Sequence, residues 1–149
     1  MEYGQLDQRN IRRKKQRIKR AGFPYIKQLN DLIKEELPQD AQDNIMALSR
    51  LDFINEGQNI ILAGNPGTGK THIAIALAIQ ACNMDYTVLF TTIPRLITQI
   101  NEARSGKFLR RLETQFLKYD LVAVMNLGTS LLIKMPLNYS LPILVSGQV

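Results

Sequence analysis

The residues Gly64-Asn65-Pro66-Gly67-Thr68-Gly69-Lys70-Thr71 decide the fold of this chain. They match the pattern G-x-x-x-x-G-K-[ST], a loop that holds phosphate groups. The short apolar run 59–63 precedes the loop and predicts a buried strand, and the alanine- and isoleucine-rich stretch 72–82 predicts a helix after it. A strand before and a helix after are the structural context that this motif requires.

The chemistry of the loop predicts a site for a nucleoside triphosphate and Mg²⁺. Gly64, Gly67 and Gly69 allow the backbone to curl so that successive N–H groups face phosphate oxygens. The helix that begins near Gly69 directs its positive end at the same anion. We expect Lys70 to reach the β- and γ-phosphates and the Thr71 hydroxyl to hold Mg²⁺. The remaining members of the run 64–71 are expected to bind mainly through their backbone.

Composition and charge narrow the class of protein. The chain has 149 residues, of which 45% are apolar and 21% charged, as in a soluble domain with a modest core. One cysteine, Cys82, excludes a disulfide framework and favours a reducing cytoplasm. The sequence has no apolar run of membrane-spanning length and no signal peptide at its polar, basic start. We therefore predict a cytoplasmic protein without a membrane partner.

The positive charge is concentrated in an N-terminal arm. Residues 1–30 carry nine Lys and Arg against two acids, whereas the remainder carries ten against eleven. The uninterrupted stretch 5–20 predicts a helix, and its basic residues surround the axis: Arg12, Arg13, Lys14, Lys15, Arg17, Lys19 and Arg20. Two interpretations stand side by side. The helix contacts DNA phosphates without base specificity, or it is a solvated linker.

The chain divides into an arm (1–22), a connector with a helix (23–58), a partial core (59–124) and a tail (125–149). A helix is predicted over 41–53, strands over 87–91 and 121–125, and helices from Pro94 to Ala103 and from Phe108 to Tyr119. Strands that alternate with helices predict an α/β fold with a parallel sheet. Three side chains have two interpretations each: Phe23 and Tyr25 pack beside an adenine ring or anchor the core, and His72 is catalytic or packs its helix.

Several further segments resemble one family. They are the basic run that ends in Ala21-Gly22-Phe23-Pro24-Tyr25-Ile26-Lys27, the helix end Leu51-Asp52-Phe53-Ile54, the run Gly64 to Leu77, Val88-Leu89-Phe90-Thr91-Thr92, Glu102-Ala103-Arg104, and Tyr119-Asp120-Leu121-Val122. Over residues 9–124 the chain resembles the IstB-like ATPases, which are AAA+ helpers of insertion-sequence transposition related to DnaC-type helicase loaders. The resemblance implies an AAA+-like P-loop NTPase that takes ATP and Mg²⁺. It also implies a transposase partner, DNA binding and assembly with copies of itself.

The chain departs from the family pattern after the third predicted strand. The family implies an Asp-Glu pair there, which orders Mg²⁺ and activates water, but this chain has Met125-Asn126. Asp120 lies at the opposite end of the strand. The family also implies strand order 5-1-4-3-2, so we expect the fourth and fifth strands to be missing and the phosphate-loop strand to lack both neighbours. The segment 141–145 is the one substitute, although Pro142 argues against a central position.

The tail 125–149 looks foreign to the family. It contains no Asp or Glu and a single Lys, Lys134. One base earlier in frame, Met125-Asn126 must encode Glu and Met135-Pro136 must encode Ala, and permissible codons elsewhere give D-E-F-G-Y-I-S-F-D-K-D-A-A-E-L. The hypothesis is that the chain is truncated and out of frame after about residue 124, which the coding DNA decides.

Three functions therefore compete. The first is an ATP-binding helper of transposition, with turnover near background because the acidic pair is absent. The second is a DNA-binding arm beside a vestigial nucleotide site. The third is a decayed remnant that does not fold cooperatively. Arg104, Arg110 and Arg111 either contact DNA or a neighbouring subunit, or are solvated helix charges.

Overall fold

A computed structural model describes residues 2–32, 35, 37, 39–64, 69–126, 129–136 and 142–147. Within them, strands and helices alternate between residues 60 and 126. The helices are α1 (Glu2–Ala21), α2 (Gln39–Ser49), α3 (Asp52–Asn55), α4 (Lys70–Asn83), α5 (Ile93–Ser105) and α6 (Leu109–Phe116), with a 3-10 turn at Leu29–Asp31. The strands are β1 (Ile60–Gly64), β2 (Val88–Thr92), β3 (Leu121–Asn126), β4 (Thr129–Lys134) and β5 (Ile143–Gly147).

The strands form one sheet in the order β2-β3-β4-β1-β5. β2 pairs parallel with β3 and β5 pairs parallel with β1, whereas β4 runs antiparallel to both of its neighbours. The predicted α/β fold class, with flanking helices and a basic N-terminal helix, is confirmed. The prediction that β1 would lack both neighbours is wrong, because β4 and β5 occupy those positions. The prediction of a wholly parallel sheet is also wrong, because β4 is antiparallel to both of its neighbours.

Short connections explain how the tail supplies these strands. Two residues separate the end of β3 at Asn126 from the start of β4 at Thr129. A parallel neighbour needs a crossover of about a dozen residues or more, so a strand that follows this closely must be antiparallel. β5 begins directly after Pro142 and lies at the edge of the sheet, which is the position where proline before a strand is tolerated.

The core forms around α4. Its side chains from Ile73 to Ile79 are all buried, as expected for a helix that is apolar on all sides. α4 contacts β1, β3 and β4 on one face of the sheet, and α1 and α2 pack beside it. Leu62, Leu132 and Val145 are fully buried members of the same cluster. The phosphate-loop helix is therefore the central helix of the molecule.

The opposite face of the sheet is only partly covered. α5 contacts β2 and β3 there, and Val122 and Val124 are buried. In β4, β1 and β5 successive side chains point to opposite faces of the sheet. On the face away from α4, Ile61 and Leu131 are half-buried and Leu144 is 61% exposed. Along the described part of the chain, no helix occurs between the end of β3 and the start of β5. The domain is in this sense an incomplete P-loop NTPase fold.

The predicted helix over 41–53 divides into two. α2 ends at Ser49, and α3 begins at Asp52 after Leu51 adopts a left-handed backbone with φ of 59°. The Leu51 side chain is fully buried, so core packing offsets a conformation that is rare for a residue with a side chain. The single-helix prediction is therefore wrong, although Leu48 and Phe53 within it are both buried. No helix among these described segments is long and apolar enough to cross a membrane.

Candidate phosphate-binding site

The two ends of the phosphate-loop motif lie where the motif requires them. Gly64 is the last residue of β1, and Gly69 immediately precedes α4, which begins at Lys70. The middle of the motif, Asn65 to Thr68, lies outside the described residues. The strand and helix that flank the loop are therefore as predicted from the sequence.

Gly69 occupies a backbone position that excludes most side chains. Its φ is 82°, in the left-handed region that glycine enters without steric cost. A Cβ built at this position would lie 3.4 Å from Cδ2 of Leu37. Because Gly69 is the N-cap of α4, this geometry turns the chain into the helix end whose free N–H groups attract anions.

Lys70 is buried rather than solvated. Its exposed fraction is 2%, and its Nζ donates a 2.8 Å hydrogen bond to the backbone carbonyl of Val145 in β5. Sequence reasoning missed this partner, because 75 residues separate the two and no motif links Lys70 to the segment 141–145. A desolvated ammonium at a helix N-terminus creates a strongly positive environment. This arrangement suits a phosphate group.

The metal-binding features of the site are sparse. The Thr71 side chain is exposed at the start of α4, and a threonine hydroxyl is a suitable oxygen ligand for Mg²⁺. At the end of β3, Met125 is buried and Asn126 is exposed. Neither side chain carries a carboxylate. No cluster of three His, Cys, Asp or Glu is present in the described part of the chain. Thr71 therefore fits Mg²⁺ as one ligand beside phosphate oxygens and water.

Ser130 is a feature of the site that sequence reasoning missed. It pairs with Leu62 of β1 and with Met125 of β3, close to the strand ends from which the phosphate loop and the acidic pair would emerge. Its side chain is 1% exposed, and its Oγ has no hydrogen-bond partner within the described ranges. A buried hydroxyl without a partner costs about 1–3 kcal/mol. No local sequence signal marks it, because its position depends on the reversed strand β4.

Asp120 has a structural role at the far edge of the sheet. Its Oδ2 accepts hydrogen bonds from the Thr87 backbone N–H at 2.9 Å and from the Thr87 hydroxyl at 3.1 Å. These bonds connect the start of β3 to the start of β2. The prediction that Asp120 lies away from the phosphates agrees with this position, since the phosphate loop leaves the opposite ends of the strands.

The aromatic residues of the connector have intramolecular partners. Phe23 is half-buried and stacks at a tilt on Phe90, with ring centroids 5.9 Å apart. The Tyr25 hydroxyl and His72 Nδ1 form a 2.8 Å hydrogen bond, and their rings meet edge to face. Partial burial raises the pKa of the Tyr25 hydroxyl. These contacts favour anchoring for Phe23 and Tyr25, and they give His72 a packing role at the start of α4.

The basic arm forms a helix, but its cations are not equivalent. The Arg17 guanidinium donates to the carbonyl of Cys82 at 3.2 Å and pairs with Asp85 at 3.0 Å, so it holds α1 against the end of α4. Lys14 is half-buried. Six cations are exposed to solvent along the described part of the same helix: Arg9, Arg12, Arg13, Lys15, Lys19 and Arg20.

The arginines of α5 and α6 lie at the surface. Arg104, Arg110 and Arg111 are exposed, and the Arg111 guanidinium lies 4.8 Å from the centroid of the Phe108 ring. This is the geometry of a cation–π contact. Solvated helix charges account for these positions without a further ligand.

Comparison with known proteins places this geometry in a family. The family model described as IstB-like ATP binding protein matches residues 4–144, which extends the match beyond residue 124 into the tail. A protein of insertion sequence IS21 from Pseudomonas aeruginosa, named as ATP-binding, is 34% identical over 118 residues, or 79% of this chain and 44% of that protein. A similarly named protein of IS5376 from Geobacillus stearothermophilus is 31% identical over 112 residues, or 74% of this chain and 44% of its own.

The chain thus spans less than half the length of these curated relatives. The family model matches nearly the whole chain. The described backbone is compatible with that match, because α4 begins directly after the left-handed Gly69 and Lys70 is buried at its first turn. On this evidence the chain belongs to the IstB-like ATP-binding protein family.

Proposed function

We propose that the protein is a cytoplasmic helper of insertion-sequence transposition that binds Mg·ATP and DNA and acts with a transposase. The observation that carries this proposal is the buried ammonium of Lys70 at the N-terminus of α4, directly after the left-handed Gly69. Two relatives from insertion sequences are named as ATP-binding proteins. The proposal extends that activity to this chain.

The residues Gly64 to Thr71 bind the triphosphate, with Lys70 and Thr71 as the two side chains that matter. Backbone N–H groups at the start of α4 face the phosphate oxygens. Lys70 exchanges the carbonyl of Val145 for a phosphate oxygen, a charge-assisted bond that is about twice as strong as a neutral one. The Thr71 hydroxyl supplies one oxygen ligand to Mg²⁺, whose charge offsets that of the phosphates.

Turnover is expected to remain near background. Water needs a carboxylate to orient it for attack, and Met125 and Asn126 occupy the positions that the family pattern gives to acids. The chain therefore binds and releases ATP without using it. We also propose that the ATP-bound protein assembles with further copies of itself, as the family implies.

Nucleotide titration tests the site. Mg·ATP is added to the chain and heat is measured by isothermal titration calorimetry, with binding expected at millimolar nucleotide or below. Lys70→Ala is expected to weaken binding by about 10-fold or more, because a charge-assisted bond contributes about 1.5–3 kcal/mol. Lys118→Ala, at an exposed lysine after α6, is the matched control and keeps wild-type affinity. Uptake that Lys70→Ala leaves unchanged contradicts the proposal.

DNA binding through the basic arm has its own test. Replacement of Arg12, Arg13 and Lys15 by Gln removes three exposed cations and no described contact. Each lost phosphate contact reduces the slope of log affinity against log salt by about 0.9. The matched control replaces Arg95, Lys107 and Lys118 by Gln; these are also exposed cations and lie outside the arm. An equal loss in both triple variants would assign the binding to net charge rather than to the arm.

The missing acids favour a second candidate, a DNA-binding protein with a vestigial nucleotide site. It predicts the same arm-dependent DNA affinity with no response to ATP. Affinity for DNA measured with and without Mg·ATP separates the two, since a transposition helper is expected to change its affinity when nucleotide binds. The decayed-remnant alternative predicts a broad melting transition instead of a cooperative one.

A further inference from the structure

A second cavity lies away from the phosphate loop, between the 3-10 turn at Leu29–Asp31, α2 and α4. Its volume is about 390 Å³, which is within the range of small-ligand pockets. The α4 residues that line it reach from Ala76 to Asn83. Gln80 lies ten residues after Lys70, or about 15 Å along the helix. The cavity is therefore separate from the site proposed for the triphosphate.

Among the described residues, the polar lining of this cavity is neutral. Four amide residues and one serine contribute to it, and none of the described lining residues is charged; the five are Gln28, Asn30, Ser49, Gln80 and Asn83. The Ser49 hydroxyl donates to the Met46 carbonyl at 2.7 Å, and Gln80 Nε2 lies 3.8 Å from the weak acceptor Met84 Sδ. An amide offers a donor and an acceptor side by side. Such a lining favours a neutral ligand that has a hydrogen-bond donor and an acceptor on the same edge.

The remainder of the lining is apolar and comes from each wall. Leu29, Ile45 and Ile79 are the principal apolar members, and all three pack against or within the core cluster. Apolar surface of this kind accepts the flat face of a ring, while the amides remain available at the ring's edge. A nucleobase has both properties, and asparagine and glutamine are the side chains that pair with base edges.

The cavity adjoins the basic arm. Asn83 directly follows Cys82, whose carbonyl accepts the hydrogen bond from Arg17 of α1. Lys27 precedes Gln28 in the chain, and Arg50 follows Ser49. Two described acids lie nearby: the Asp31 carboxylate accepts the Gln28 backbone N–H at 2.9 Å, and Asp85 pairs with Arg17 at 3.0 Å. A nucleic-acid strand whose phosphates follow α1 can therefore present a base at the cavity.

We propose that this amide-lined cavity takes one unstacked base of a single DNA strand while the basic helix α1 holds the neighbouring phosphates. The inference rests on the proposed DNA-binding function and adds a preference for strands that carry accessible bases. Base recognition in pockets of this kind depends on unpaired bases, because a duplex buries the faces of its bases by stacking and their Watson–Crick edges by pairing.

The test compares two labelled strands that carry the same phosphates, a mixed-sequence strand of about 20 nucleotides and an abasic strand of equal length; both exceed a typical site of about 4–16 nucleotides. Affinity is measured by fluorescence anisotropy. The wild-type protein is expected to favour the strand with bases by about five-fold or more. The double variant Gln80→Leu with Asn83→Leu is expected to lose this preference and to keep its affinity for the abasic strand.

Two further variants keep the test decisive. Gln28→Leu alters the opposite wall at an exposed connector residue and is expected to reduce the preference as well, so a folding defect in α4 does not mimic the result. Asn101→Leu, at an exposed amide on α5, is the matched control and is expected to bind as wild type. Equal binding of both strands by the wild type, or an unchanged preference in both amide variants, overturns the inference and leaves the arm-dependent DNA binding intact. Failure to bind either strand overturns the proposed DNA-binding function itself.

Discussion

The ammonium of Lys70 donates a hydrogen bond to the carbonyl of Val145, 75 residues further along the chain. Val145 belongs to β5, which pairs in parallel with β1 from Ile60 to Gly64. The lysine that is proposed to meet ATP is thus held by the tail strand that occupies the fifth-strand position of the family order 5-1-4-3-2. The stability of β5 and the preparation of the phosphate site are linked through this one contact.

Substitutions within β5 test whether the strand belongs to the fold. Val145 is fully buried and Leu144 is 61% exposed on the other side of the same strand. Val145→Ala is expected to lower the free energy of unfolding by about 1–3 kcal/mol through lost burial and a residual cavity. Leu144→Ala is expected to change it by less than about 0.5 kcal/mol. Urea denaturation measures both, and similar small effects would mean that β5 does not pack.

The unpartnered hydroxyl of Ser130 leads to a prediction of opposite sign. Replacing Ser130 by Ala removes a buried polar atom that has no described partner, so we expect the unfolding free energy to rise by about 1 kcal/mol. Thr98→Ala is a suitable control, since its hydroxyl is exposed and already donates to the Pro94 carbonyl at 3.0 Å. Thermal melting in the absence of nucleotide measures the change. A clear loss of stability in Ser130→Ala would show that the hydroxyl is satisfied in solution.

Arg17 is expected to contribute to stability more than the other cations of the arm. Arg17→Gln loses the bond to the Cys82 carbonyl and the pair with Asp85. Asp85 is 77% exposed, so the ion pair contributes little and most of an expected loss of about 1 kcal/mol comes from the hydrogen bond. Arg13→Gln, at an exposed position on the same helix, is expected to have no measurable effect on urea unfolding. Equal stability in the two variants would contradict the anchoring role.

Alkaline pH is expected to destabilise the protein through Cys82. Burial raises the pKa of its thiol from 9.0 to about 11, although the nearby Arg17 charge opposes the shift. Between these two values the folded state keeps a proton that the unfolded chain releases, so stability falls as pH rises from about 9 towards 11 and is unaffected below that window. The urea midpoint of Cys82→Ala should decline less steeply over the same interval. Parallel decline in both proteins would exclude the thiol as the cause.

The elements that local patterns determine could be predicted from the sequence. β1, α4 and α1 depend on an apolar run, on alanine-rich periodicity and on an uninterrupted basic segment, and each is present in the structure. The turn from Gly69 into Lys70 follows from the glycine spacing of the motif. These features need no information about the partner segments, because their geometry is set within a few residues.

The remaining features depend on contacts between distant segments. The direction of β4 follows from the two-residue connection after Asn126 and from the place left open beside β1. The left-handed backbone of Leu51 depends on the burial of its side chain in the assembled core. The partner of Lys70 requires the whole sheet. Tertiary packing overrides local propensity at each of these positions.

The reversal of β4 exchanges its two ends. A parallel strand in this place would bring its final residues to the carboxyl ends of β1 and β3, whereas here Lys134 pairs with Leu121 at the far edge and Thr129 pairs with Asn126 beside the loop. The first residues of β4 therefore lie beside the end of β1 from which the phosphate loop emerges, and its last residues lie at the opposite edge of the sheet. At that far edge the Met135 backbone N–H donates a 3.0 Å hydrogen bond to the Asp120 carbonyl, so the end of β4 is fixed to the start of β3.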